Sequence, residues 1–169
     1  LSSNSGHTAA FSGGGLGIDT TSGKGFEATG GGTVSVAGAT NTIATTTGRG
    51  LNITNTTIGA ADVIFQAISS SGAVNGIQLS NTGASGNLSI TGTGTTAGSG
   101  GTIQNTTGDG VLLTSTSSPS FSNLIVNNTN GHGMNVSSTS NLTLTGSQVI
   151  DAGDGEDERG LADEGQERQ

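Results

Sequence analysis

A short motif recurs along this chain at nearly constant spacing, and that periodicity constrains the fold more than anything else in the sequence. The motif is Gly-x-Gly, then an alternating apolar stretch, then a cluster of hydroxyl residues. Its second glycine falls at Gly25, Gly50, Gly76, Gly110 and Gly133, with spacings of 25, 26, 34 and 23 residues; Val74 replaces the first glycine of the third copy. The next position reads Phe26, Leu51, Ile77, Val111 and Met134, and two further on come Ala28, Ile53, Leu79, Leu113 and Val136. Between them sit Glu27, Asn52, Gln78, Leu112 and Asn135, polar in four of five copies. Alternation with period two marks a strand with one buried face.

The hydroxyl cluster is columnar too. One column reads Thr29, Thr54, Ser80, Thr114 and Ser137, and a second, two residues later, reads Gly31, Thr56, Thr82, Thr116 and Thr139. Both are expected at the turn after the strand. Apolar pairs for a second strand follow at Val34/Val36, Val63/Phe65, Leu88/Ile90, Pro119/Phe121 and Leu142/Leu144. A third apolar position follows at Ile43, Ile68, Ile103, Leu124 with Val126, and Val149 or Ile150. Three short strands in about 25 residues make one coil of a parallel β-helix. The 34-residue copy carries its excess in Thr91–Gly101, a loop swelling from one coil.

Composition alone would suggest disorder. Gly, Ser, Thr and Asn supply 95 of 169 residues, and the only aromatics are four Phe. Few large apolar groups remain to offset chain entropy. Disorder predicts composition, however, and not columns. Helix is disfavoured throughout, because Gly and Thr are poor helix formers and Ser and Asn compete for the backbone. Stacked coils solve the burial problem, since each covers the apolar face of its neighbours and pairs their backbone groups. The expected architecture is all-β, a right-handed β-solenoid of five to six coils. Residues 1–22 form a partial N-terminal coil, 23–150 five coils, and 151–169 a disordered acidic tail or a truncated loop. The expected inward side chains are Phe26, Leu51, Ile53, Ile77, Leu79, Val111, Leu113, Met134, Val136, Leu142 and Leu144.

The same pattern decides what Gly-x-Gly means here. A phosphate-cradling loop needs a helix whose N-terminus faces the anion. In this chain a strand follows the glycines five times, so the motif is a corner.

Charge narrows the function classes. The net charge is −8, but residues 151–169 hold eight acids and two arginines, while residues 1–150 hold four acids, Lys24 and Arg49. Two basic residues cannot neutralise a phosphate backbone, and stacking aromatics are missing, so nucleic acid is excluded as a partner. No apolar run reaches 18 residues, so no helical membrane span is expected. The chain has no cysteine and therefore no disulfide. It begins at Leu1 without a visible signal peptide, which suggests a segment of a longer protein.

The stretches "GGGTVSVAGATNTI" and "GLNITNTTIGAADVIFQAISSSGAVNGIQLSNTGASGNLSITGTGTTAGSGGTIQNTTGDGVLLTSTSSPSFSNLIVNN" carry a further resemblance. Over about Gly23 to Asp151 the chain resembles the right-handed parallel β-helix segments of very large bacterial surface and secreted repeat proteins, described as β-strand-repeat or adhesin-like. The likeness includes the swollen coil and the Ser-Pro-Ser-Phe turn. It implies a pectate-lyase-like β-helix, a bacterial source, and an extracellular or cell-surface location. It carries over no catalytic residue and no cofactor. It also implies that a further strand should follow an acidic Gly-Asp loop, whereas "GDGEDERGLADEGQERQ" does not return to apolar alternation.

Several residues are candidates for chemistry. Polysaccharide lyases and hydrolases share the architecture, and they need a base with carboxylates or a carboxylate pair. The body offers Asp19, Glu27, Asp62 and Asp109, in different coils and strand phases, so no catalytic set is assigned. The residue inside each corner reads Lys24, Arg49, Asn75, Asp109 and His132. Adjacent coils should put Lys24 beside Arg49 and Asp109 beside His132, either as a solvated corner or as a polar stripe that contacts glycans or a partner. No nucleophile accompanies His132 and Asp109, so a triad is not supported. Asp151, Asp154 and Glu156 loosely suggest calcium, but their spacing fits no EF-hand or β-roll pattern. The Asn-x-Ser/Thr triplets follow from composition. Ice binding would require Thr-x-Thr on one outward strand face, and Glu27, Asn52, Gln78, Leu112 and Asn135 are too mixed for it. The functional expectation is a structural, adhesive or stalk segment of an exported bacterial repeat protein. A carbohydrate-active enzyme is the alternative.

Overall fold

A computed structural model describes residues 1–153 and 160–163. The described chain is all-β, with three parallel sheets of six strands each that wind into a solenoid of about six turns. The first sheet stacks β3 (Phe26–Thr29), β6 (Leu51–Thr54), β9 (Ile77–Ser80), β12 (Val111–Thr114), β15 (Met134–Ser137) and β18 (Leu161–Asp163). The second stacks β1 (Thr8–Phe11), β4 (Thr33–Val36), β7 (Thr57–Phe65), β10 (Leu88–Ile90), β13 (Ser120–Ser122) and β16 (Thr143–Thr145). The third stacks β2 (Gly17–Thr20), β5 (Thr42–Thr45), β8 (Ala67–Ser71), β11 (Thr102–Gln104), β14 (Ile125–Thr129) and β17 (Gln148–Ala152). Six rungs at about 4.8 Å give a rod roughly 25–30 Å long.

The first sheet keeps the register read from the repeat. Phe26, Leu51, Ile77, Val111 and Met134 form one paired column, and Ala28, Ile53, Leu79, Leu113 and Val136 the next. All ten are buried. The strand β18 extends this sheet by placing Leu161 against Met134. Gly160 supplies its corner, 27 residues after Gly133, a copy that the periodicity reading did not include.

The corner glycines are needed for space rather than for backbone conformation. None of the five anchors has positive φ. A Cβ on Gly25 would lie 2.6 Å from Ile43 Cγ2, and one on Gly50 2.9 Å from Ile68 Cγ2. At Gly76, Gly110 and Gly133 it would overlap Ile103, Val126 and Val149 more closely still. Each corner therefore closes over a β-branched side chain of the third sheet, and any side chain there would collide with the core. The hydroxyls of Thr45, Thr106 and Thr129 donate to the carbonyls of Gly48, Gly108 and Gly131, which ties the third sheet to the corner that follows it.

The turn from the first sheet to the second uses the left-handed region at one column, Gly30, Asn55, Asn81, Ser115 and Ser138. Gly enters that region freely and Asn tolerates it. The Asn81 amide donates to Asn55 Oδ1 at 2.9 Å, which links two coils.

Four expectations are corrected. The hydroxyl column Thr29–Ser137 is not at a turn; it ends each first-sheet strand and points outward, beside the column Glu27–Asn135. Only the second hydroxyl column is at the turn, where Thr56, Thr82 and Thr116 are buried and Thr82 and Thr116 share a 2.6 Å hydrogen bond. In the second sheet Val34 pairs with Ile58, not Val63, because residues 59–62 form a bulge inside β7. In the third sheet Ile43 pairs with Ile68, but Ile103 pairs with Ser70, two residues further on. Finally, Leu144 lies in register with the buried Phe121 yet is 40% exposed, since no described second-sheet strand covers it.

Candidate functional site

The corner stripe and the outward face of the first sheet form one polar surface. Each first-sheet strand starts one residue after its anchor glycine. The corner residue, the middle outward residue and the last outward residue therefore stack as three parallel columns. The first column is Lys24, Arg49, Asn75, Asp109 and His132, as the sequence suggests.

Within it, neighbours are joined unevenly. Lys24 does not pair with Arg49 but forms an ion pair with Glu27. That contact, with help from the Asn52 amide, holds the Glu27 carboxyl below its ordinary value of 4.5 against a smaller opposing effect of burial. Arg49 Nε donates to the Asn75 carbonyl at 3.3 Å, and its Nη2 reaches Asn75 Oδ1 at 3.4 Å. Burial lowers the Arg49 pKa, and the Glu27 charge opposes that shift. The buried Asn75 amide donates to the Asp109 carbonyl at 3.1 Å.

Asp109 and His132 do meet. The His132 backbone N–H donates to Asp109 Oδ1 at 2.9 Å, and His132 Nδ1 lies 3.1 Å from the same oxygen. Asn135 Nδ2 donates to Asp109 Oδ2 at 3.1 Å. In the neutral tautomer that donates from Nδ1 to Asp109, Nε2 is left as an acceptor. A shallow groove of about 570 Å³ opens over this cluster, lined by Asn75, Thr107, Gly108, Asp109, Leu112, Asn130, Gly131, His132 and Asn135.

The sequence pattern marks Leu112 and Asn135 only as outward strand positions, not as site residues. The signal was present: Leu112 is the one apolar residue among the five repeats at its position, and Asn135 lies three residues after His132 on the same outward face.

The other carboxylates stay apart. Asp19 pairs with Ala44, and Asp62 accepts the Asn87 backbone N–H at 2.9 Å. Asp151 is exposed and left-handed, φ 47°, within β17, in register with the left-handed Asn128 of β14 and with Asn105. Asp154 and Glu156 lie outside the described residues. No three His, Cys, Asp or Glu side chains converge among the described residues. No helix there is long and apolar enough to cross a membrane. Comparison with family models, with curated proteins and with solved structures finds no match in any of the three.

Proposed function

We propose that this chain is a structural, non-catalytic segment of an exported bacterial surface protein, a stalk with a weak multivalent contact face. One observation carries the reading: four of the five corner residues are joined across successive coils. Arg49 reaches Asn75, Asn75 reaches Asp109, and His132 and Asn135 reach Asp109, each across a rung. Such a ladder stiffens a rod. Its outward face presents amides and hydroxyls with few charges and no aromatic anchor, which suits weak contacts strengthened by repetition. The resemblance to adhesin-like repeat segments supports export and an extracellular or cell-surface location.

A second reading has one observation in its favour. Asp109 orients His132 in an open groove, an arrangement shared with acid–base sites. A carbohydrate-active β-helix enzyme would use it on a polysaccharide. The other carboxylates of residues 1–150 lie elsewhere, Glu27 in the first coil beside Lys24 and Asp19 and Asp62 on other sheets, which weighs against this reading.

A glycan array run beside a polysaccharide-cleavage assay separates the two. The rod reading expects retention without turnover, or neither. Turnover abolished by Asp109→Asn or His132→Ala would overturn it. The full-length gene, read for an export signal, further repeats and a surface anchor, tests the cellular setting.

A further inference from the structure

We propose that the groove over the third, fourth and fifth complete coils binds a neutral saccharide, with ring hydroxyls on Asp109, His132 and Asn135 and a C–H face on Leu112. The assignment rests on the contact-face reading above and gives it a place and a ligand class.

The fourth complete coil departs from its neighbours twice at one spot. Among the five described corners Asp109 is the only carboxylate, and Leu112 is the only large apolar residue in the adjacent outward column, whose sixth position is Ala162. Both line the groove, with Asn75 on one side and His132 and Asn135 on the other. A pyranose has the matching layout, an apolar C–H face ringed by hydroxyls that donate and accept.

The hydrogen-bonding capacity left in the groove fits the same ligand. In the neutral tautomer that donates from Nδ1 to Asp109, His132 Nε2 is an acceptor. Asn135 spends Nδ2 on Asp109 Oδ2, which leaves its own Oδ1 and a second N–H, and Asp109 Oδ2 keeps a lone pair. The groove thus offers both acceptors and a donor, as hydroxyls require. An anion would face the Asp109 carboxylate, with Arg49 already engaged by Asn75. A divalent cation would need several oxygen ligands, and Asp109 alone supplies carboxylate oxygens here, both already accepting hydrogen bonds. Without an aromatic platform the affinity of one site should be low.

The test is a titration of the whole ¹⁵N-labelled chain, followed by NMR. The probes are cellotetraose, mannotetraose and galactotetraose, with tetragalacturonate as the charged counterpart. At least one neutral probe should shift the amides of the groove residues. Leu112→Gln, which copies Gln78 one coil earlier, and Asp109→Asn should each weaken that binding about tenfold, the scale of one good contact. Asn52→Ser, on the same column outside the groove, should leave it unchanged. Melting curves establish that each variant is folded. The assignment is overturned if no neutral probe binds, if tetragalacturonate binds more tightly, or if binding survives Leu112→Gln and Asp109→Asn in folded protein. Loss of binding alone leaves the rod reading standing. Cleavage of a bound probe would overturn the non-catalytic reading while leaving the saccharide assignment in place.

Discussion

The first and third sheets are built by the same coils but hold register differently. In the first, every strand starts one residue after a corner glycine and pairs without slip from Phe26 to Met134. In the third, the pairing column runs Ile18–Ile43–Ile68 and then continues with Gly101 rather than Ile103, which instead stacks on Ser70. Length variation explains the contrast. Insertions enter after the first sheet, in the bulge at 59–62 and in the swollen loop Thr91–Gly101. The third sheet absorbs them, and the corner resets the count. Residues meant to stack over many coils are therefore best placed on the first sheet, where the polar columns lie.

The largest effect that can sharpen the contrast is Leu79→Asp. Leu79 is fully buried in the middle of the first sheet. An unpaired carboxylate there should cost several kcal/mol or abolish folding, read from chemical denaturation. The same change at the 40% exposed Leu144 should cost far less.

Next comes Gly76→Ala, whose Cβ would overlap Ile103. It should destabilise by about 1–3 kcal/mol. In an Ile103→Ala background, which lacks the Cγ2 that the new Cβ would meet, Gly76→Ala should cost less, and strict additivity of the two changes would refute the corner-over-branched-residue packing.

Shortening the swollen loop by deleting Gly94–Ala97 should cost less than about 1 kcal/mol, since loop length enters stability weakly. The change removes the Asn123–Gly94 hydrogen bond and leaves both flanking strands. A loss comparable to Leu79→Asp would show that the loop sets the third sheet's register.

The smallest effect concerns Glu27. Its carboxyl is held below 4.5 mainly by Lys24, so the folded pKa is lower than the unfolded one. The contribution is fully present above the unfolded pKa and is lost as pH falls through the folded value. Lys24 is largely exposed, so Lys24→Ala should cost about 0.5 kcal/mol or less at neutral pH, while an NMR titration shows the Glu27 pKa rising.

Legibility followed the same division. The corner, the inward pairs of the first sheet and the meeting of Asp109 with His132 could be read from spacing, because nothing of variable length intervenes between corner and strand. Ile58 and the slip at Ile103 could not, because the number of inserted residues does not say where a bulge forms. The outward placement of Thr29–Ser137 was recoverable from period two, since each lies one residue past an inward position. The groove was not, because it arises from three coils together, through the departures at Asp109 and Leu112.

A pulsed EPR distance between spin labels at Glu27→Cys and Asn135→Cys tests the stacked first sheet most directly. The two positions lie on one outward column, four rungs apart. The account predicts a single distribution centred at about 19 Å, broadened by the label arms. A broad distribution, or one centred at a clearly longer separation, would contradict it.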